Sequence, residues 1–374
     1  MHRGINHTKN SFKDTIGWRP FSLRPQSLIP RIAAHDVVPL VEGVDLWDCW
    51  PLARTDGSTA RISGREFWFF LSAPRLSDPH RRHAVARIRM MSRTSAGWRD
   101  HGPVLAHGSG PGSREWAGCA VICDDGEAVT LFYTAAGDRD APDITFSQRI
   151  VAATARMDGG MISDWQAPAE VIAADGVRYA PADDTHEPAP GMLKAFRDPF
   201  HFRDPATGDD HLVFTASAGW SQDPHNGVIG LATLSQGRWE LRDPLIEAIG
   251  VNNELERPQI LFRGGLYYLF WSTQTHTFAP GAPAGPTGLY GMVGNTLRGT
   301  WRPVNGSGLV AANPGDVADQ SYSWCVTGED EVWSFVNRHE LGLRAADEAG
   351  REPFGGTVAP VFSLKFEGET VTLA

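Results

Sequence analysis

From Glu66 to the C-terminus the chain is a succession of short apolar or alternating runs cut by Gly, Asp, Asn and Pro. They are Phe67–Ser72, Ala84–Met91, Ala117–Cys123, Val129–Thr134, Ile150–Met157, Lys194–Phe202, His211–Ala216, Gly227–Leu234, Gln259–Phe262, Leu266–Ser272, Gly288–Val293, Val332–Asn337 and Val361–Phe366. Runs of this length between turn formers read as β-strands. No long stretch carries capped i, i+3, i+4, i+7 spacing, which disfavours α/β alternation. Hairpin turns such as Arg263-Gly264-Gly265 then leave a sandwich, a barrel or a propeller. Three acidic motifs centred on Asp48, Asp198 and Glu256 stand far apart in the chain. A propeller accounts for that best, because radially arranged blades each deliver an inner-strand residue to one central funnel. No fixed-period repeat supports it, so the expectation of an all-β propeller rests on motif placement.

At 374 residues the chain could be two domains, yet large all-β units often run this long. Residues 1–40 are polar and punctuated by Pro20, Pro25 and Pro30, and are expected to form an extension wrapping the outside. Residues 41–374 are expected to form one domain. Stretches 135–145, 173–190 and 278–286 are rich in Pro, Gly, Ala and Asp and read as loops over one face. A net charge of −10 and the lack of a basic run exclude a nucleic-acid surface. The four cysteines, Cys49, Cys119, Cys123 and Cys325, lack zinc-site spacing; they read as reduced thiols, with Cys119 and Cys123 in a buried strand. Met1–Arg31 has no unbroken apolar core of a secretory signal, and no later segment reaches membrane-spanning length, so a soluble protein is expected.

Asp48 lies in Leu46-Trp47-Asp48-Cys49-Trp50-Pro51, between tryptophans where an unpaired carboxylate is costly to bury. Taken alone this is equally a surface turn. Phe196-Arg197-Asp198-Pro199 and Glu254-Leu255-Glu256-Arg257-Pro258 again set a carboxylate beside arginine and proline. Each alone has a structural reading, as a turn or a solvated ion pair. Together they supply the pair of carboxyl groups that retaining glycoside cleavage needs, one ionised nucleophile and one protonated acid. Asp48, on a short stiff turn, fits the nucleophile. Glu256, beside Leu255 and the like charge of Glu254, fits the acid. Asp198, next to Arg197, reads as a permanently ionised group that holds hydroxyls and stabilises positive charge on the ring. Thirteen tryptophans offer aromatic faces for sugars, Trp116 among them, although core packing can absorb many.

These motifs, with Glu115-Trp116-Ala117-Gly118, Tyr267-Tyr268-Leu269-Phe270, Gly288-Leu289-Tyr290-Gly291, Asn305-Gly306-Ser307-Gly308-Leu309, Ser321-Tyr322-Ser323 and Gly355-Gly356-Thr357-Val358-Ala359-Pro360, stand in the order found in glycoside hydrolase family 68. The chain from about residue 40 onward resembles its levansucrases, inulosucrases and bacterial β-fructofuranosidases. The resemblance implies a five-bladed β-propeller with a funnel-shaped central site. It implies Asp48 as nucleophile, Glu256 as general acid/base and Asp198 as transition-state stabiliser. Trp47, Trp116 and Arg197 match the fructosyl subsite, and Glu254, Arg257 and Tyr322 match positions around the glucosyl side and the acid/base.

Three departures stand out. Ala117 replaces a serine that in such proteins can hydrogen-bond the nucleophile, leaving that support to another donor. Near Gln274 the family usually has His or Arg bearing on acceptor handling, and either Gln274 or His276 stands in. Asn253 occupies the position of an Asp that serves structural calcium in Gram-positive members, so no metal and no cofactor are expected. The implied activity is retaining cleavage of sucrose with fructosyl transfer to water, fructans or small sugars, with neither nucleic acid nor membrane as partner. A furanosidase acting on another β-fructoside or an arabinofuranoside, and an impaired carbohydrate-binding propeller, are the alternatives. Family members mostly work outside the cytoplasm, so an extracellular setting is expected, with the cytoplasm as the alternative.

Overall fold

The computed structural model describes residues 23–338 and 351–374. Within them the alternating runs pair into antiparallel meanders of four principal strands. The first is Val44–Ala53, Arg65–Pro74, Arg87–Thr94 and Gly97–Pro103; the second is Arg114–Ile122, Ala128–Ala136, Gln148–Asp158 and Ala169–Ile172. The third is Phe196–Arg203, Asp210–Ser217, Gly227–Ser235 and Arg238–Glu247, and the fourth is Glu256–Arg263, Leu266–Thr273, Gly288–Gly294 and Trp301–Pro303. Ser321–Val326, Glu331–Val336, Phe362–Glu367 and Thr370–Leu373 form the fifth. Counted as hydrogen-bonded sheets there are four, because Leu52 and Ala53 pair in parallel with Ala120 and Val121 and fuse the first two meanders. The first strand of each meander packs against that of the next, and the fifth returns to the first. That closed ring is a β-propeller, and it leaves no long edge exposed at the join.

Each of the five inner strands carries a one-residue bulge at an equivalent place. Pairing with the second strand skips between Trp47 and Cys49, Trp116 and Gly118, Arg197 and Phe200, Glu256 and Gln259, and Tyr322 and Cys325. A bulge reverses the in–out alternation and bends the strand, so a polar residue can face the axis while its neighbours stay in the core. Asp48, Asp198, Arg257 and Ser323 take left-handed backbone, with φ of 37°, 57°, 50° and 61°. Such backbone costs roughly 1–2 kcal/mol for a residue with a side chain and is kept only where the surroundings enforce it. Gly118 follows the second bulge for a steric reason: a Cβ there would lie 1.9 Å from the Phe132 carbonyl oxygen. Asp48 therefore sits on a bulged ten-residue strand, and the expected short turn is corrected.

Between meanders the core is aromatic. Trp68 and Trp333 join the first and fifth meanders with ring centroids 4.1 Å apart. Closure is also ionic: the wholly buried Asp45 carboxylate accepts from Arg75 at 2.9 Å and Arg351 at 2.6 Å. Leu46 N–H donates to the Gly356 carbonyl beside it.

Two other expectations shift. Ala84–Met91 splits, because Pro79–Val85 forms a 3-10 helix with Pro79 in its first turn and the Asp78 carboxylate capping His80 N–H. The Cys119–Cys123 run ends early: Cys119 is in the strand and buried, whereas Cys123 lies past Ile122 and is exposed. Residues 1–22 of the expected extension lie outside the described residues. Its remainder packs on the fourth and fifth meanders, with Ile29 N–H bonded to the Ala312 carbonyl and Gln320 bridging Ile32 N–H and the Pro30 carbonyl. Among the described residues no helix is long and apolar enough to cross a membrane.

Candidate active site

The bulged residues converge on one cavity of about 270 Å³. Of the sequence-selected residues, Asp48, Trp116, Arg197, Asp198, Glu254, Glu256, Arg257 and Tyr322 line it. Asp48 faces Ser323, whose hydroxyl hydrogen-bonds its carboxylate, and the Arg257 guanidinium. Arg257 is fixed in turn, with Nη1 donating to Ser323 Oγ at 2.9 Å and Nη2 to the Cys49 carbonyl at 2.7 Å. Burial raises the Asp48 pKa, and Arg257 and the Ser323 bond oppose the rise. Ser323 thus supplies the hydroxyl that Ala117 lacks; the signal was present in Ser321-Tyr322-Ser323, but its role depends on the left-handed bulge.

Arg197 organises the other carboxylates. Its Nη2 donates to Glu254 and, at 3.2 Å, to Glu256 Oε1, while Nε lies 3.7 Å from Asp198 Oδ2. Its Nη1 is buried and has no hydrogen-bond acceptor among the described residues. Asp198 is held by its own N–H on Thr134 Oγ1 at 2.9 Å, and its Oδ2 accepts from Thr215 Oγ1 at 3.2 Å and Arg257 N–H at 3.3 Å. Burial nevertheless pushes its pKa up to about 6, with Arg197 opposing and the charges of Glu256 and Asp48 adding. Desolvation outweighs the arginine in setting that direction. Burial likewise raises Glu254 against the pull of Arg197. The Tyr322 hydroxyl donates to Glu256 Oε2, and burial holds that phenol well above its usual pKa. The site therefore has two poles. Asp48 is aimed by Arg257 and Ser323, and Glu256 is held between Tyr322 and Arg197.

Three selected residues lie off the cavity wall. Trp47 is 1 % exposed and points into the core, because the alternation puts it on the opposite side from bulged Asp48. Its ring meets His83 edge-on at 5.7 Å, and His83 lines the cavity in front of it. Gln274 precedes the 3-10 turn Thr275–Thr277 and is half-buried, and His276 is exposed. His276 packs its backbone on Gly191, where a Cβ would lie 2.6 Å from its carbonyl oxygen, which puts it behind the wall loop.

Sequence reasoning missed that loop as a wall. Glu187, Pro188, Ala189, Pro190, Gly191 and Leu193 line one side of the cavity, within and just after the stretch read only as surface loop. It also missed His80, His83 and Phe146. Burial and Arg82 depress the His83 pKa well below the usual range, which keeps its ring neutral. Trp116 is braced from behind by the Arg114 guanidinium, 5.3 Å from its ring centroid, and by its own Nε1–H on the His83 carbonyl at 3.3 Å. Among the described residues no group of three His, Cys, Asp or Glu side chains is arranged to hold a metal ion.

A family model described as Levansucrase/Invertase matches residues 22–229 and 221–374. A levansucrase of Rahnella aquatilis is 31% identical, over 96% of this chain and 94% of its own length. Among solved structures, an inulosucrase from Halalkalicoccus jeotgali bound to kestose is 36% identical with a TM-score of 0.84, covering 97% of this chain and 95% of that one. A levansucrase from Gluconacetobacter diazotrophicus is 26% identical with a TM-score of 0.79, covering 95% of this chain and 85% of that one.

Proposed function

The chain belongs to the levansucrase/invertase family, and from that premise we propose that its central cavity cleaves sucrose by double displacement on Asp48. The observation that carries this reading is the convergence of Asp48, Asp198 and Glu256 on one cavity, each at or beside the bulge of a different inner strand. In the first step Glu256 gives its proton to the glycosidic oxygen as that bond breaks and glucose leaves. Asp48 forms a bond to the anomeric carbon of the fructosyl unit. In the second step the now ionised Glu256 takes the proton of water or of an acceptor hydroxyl, which displaces Asp48 and restores the starting configuration. Arg257 and Ser323 aim the attacking carboxylate. Asp198 and Arg197 face the same space with acceptor and donor capacity for fructosyl hydroxyls, and Tyr322 holds the acid/base. Transfer to fructans or small sugars, alongside water, belongs to this proposal, as does an extracellular setting.

Incubation with sucrose tests it. Glucose and fructose are quantified together, with Asp48→Ala beside the wild type. Glucose release by wild type and its loss in the variant are expected, and glucose in excess of fructose registers transfer. Wild type that releases no glucose overturns the reading. The impaired carbohydrate-binding propeller, motivated by Ala117 and the altered segment near His276, predicts sucrose binding without glucose release in the same assay; the Ser323 hydroxyl beside Asp48 favours catalysis over it.

A further inference from the structure

Behind the wall loop lies a charged group that the mechanism does not use. Lys194 Nζ donates to the Pro224 carbonyl at 2.6 Å, Asn226 Oδ1 at 2.6 Å and Asn253 Oδ1 at 3.1 Å, so all three ammonium hydrogens are engaged. Asn253 is fully buried and spends its amide on the loop, donating Nδ2 to the Gly191 carbonyl at 3.1 Å and the Leu193 carbonyl at 2.9 Å. Its backbone N–H goes to the Thr277 carbonyl at 3.0 Å. Asn226 is 4% exposed and is fixed by Nδ2 on the Ala218 carbonyl at 3.0 Å. Two chain segments thus point oxygen at one cation carried by the turn before the third meander: the segment entering that meander's third strand, and the segment carrying Glu254 and Glu256. Burial lowers the lysine pKa, while the charges of Asp184, Asp223 and Glu254 act the other way.

We propose that the Lys194 ammonium is a tethered internal cation filling an oxygen cage, and that it positions the wall loop 187–193 against the segment bearing Glu254 and Glu256. Lys194 touches no reacting atom, so it is a positioning residue. An aspartate at 253 would keep the acceptor for the lysine and lose both donors to the loop, which is why the asparagine and the lysine work as a pair. The cage calls for a small cation with N–H donors, and detaching the tether leaves a site that a free amine can enter.

The test is chemical rescue. Lys194→Ala is assayed on sucrose, with thermal melting alongside, in methylammonium chloride and in tetramethylammonium chloride at matched ionic strength. The variant is expected to lose roughly tenfold to a hundredfold in kcat/KM, the range seen when an outer positioning contact is removed. Methylammonium should restore rate and melting temperature in a saturable way, and tetramethylammonium, which has no N–H donor, should not. Asn226→Ala keeps the lysine and deletes one cage oxygen; it should show a smaller loss that methylammonium does not repair. Lys194→Ala with wild-type kcat and KM, or equal rescue by both salts, overturns the proposal. The rate assay rests on the sucrose-cleaving reading, and wild type run in parallel separates the two failures. If wild type turns over no sucrose, that reading fails, and the salt-dependent melting of the variant still decides the fate of the lysine.

Discussion

Replacing Ser323 by glycine separates the chemistry of its hydroxyl from the cost of its backbone. The hydroxyl bonds the Asp48 carboxylate and accepts from Arg257 Nη1 at 2.9 Å, so its removal takes one donor away from the nucleophile and slackens the guanidinium behind it. A hydrogen bond to a charged group is worth about 1.5–3 kcal/mol. At about 1.4 kcal/mol per decade, kcat is expected to fall roughly tenfold to a hundredfold. Glycine also relieves the left-handed backbone, φ 61°, which adds up to about 1 kcal/mol of stability. Activity and stability should therefore move in opposite directions. The Ser323 bond lowers the Asp48 pKa against its burial, so without it that pKa rises further, and the acid limb of the pH–rate profile should shift to higher pH. Initial rates of glucose release across pH, with a thermal melt of the same preparation, give all three readouts. A kcat within twofold of wild type, with an unmoved acid limb, would refute the role assigned to the hydroxyl.

Three further outcomes are expected. Asp45→Ala strands the Arg351 guanidinium, 6% exposed at its side chain, and should cost about 3–5 kcal/mol in denaturant unfolding while kcat of the folded enzyme holds. Asp198→Asn should abolish turnover yet leave the protein as stable or more stable at pH 7. The folded pKa of about 6 lies above the ordinary carboxylate value, so the folded chain keeps a proton that the unfolded chain has released, and stability falls as pH rises through that window. The amide should flatten this part of the melting-temperature-versus-pH curve, and a variant less stable than wild type at pH 7 would count against it. Tyr322→Phe removes the donor to Glu256 Oε2 and should lower kcat about tenfold with little change in the melting temperature, measured by steady-state kinetics and a thermal melt.

What the sequence disclosed follows from what an alternating pattern can encode. Second and third strands such as Leu266–Thr273 and Gly227–Ser235 are buried along most of their length and read clearly. Outer strands such as Gly97–Pro103, largely exposed and polar, carry no apolar signal and were missed. Inner strands Val44–Ala53 and Ser321–Val326 were missed for another reason: the bulge interrupts the period of two at the residues that matter most. Asp198 and Glu256 were legible because Arg and Pro frame them in short motifs, and Asp48 because tryptophans and Pro51 frame it. Trp47 lies in the core behind the cavity because adjacency in sequence is opposition in a strand, which sets it on the other side from Asp48. His83 and the 187–193 wall had no motif, and their position depends on a 3-10 turn and a Pro-rich loop whose course is set by tertiary contacts such as Asn253 Nδ2 on Gly191 and Leu193.

The five bulges explain why this ring can hold so much charge at its centre. A regular inner strand would turn every second side chain toward the axis and give neighbouring strands equivalent inward rows. The extra residue re-aims the strand at Asp48, Asp198, Arg257 and Ser323, which line the cavity, and lets Trp47, Leu255 and Trp324 remain at or below 1% exposure. Four acidic groups, Asp48, Asp198, Glu254 and Glu256, then share two buried guanidinium groups, Arg197 and Arg257. Burial is the largest cause of the raised Asp48, Asp198 and Glu254 values, and the charges of the neighbouring carboxylates add to it. A proton shared in that cluster is what an acid/base step requires, so the strained backbone at Asp48, Asp198, Arg257 and Ser323 and the electrostatic crowding have one cause. It follows that variants neutralising a carboxylate should gain stability as they lose turnover, whereas variants that straighten a bulge should lose both.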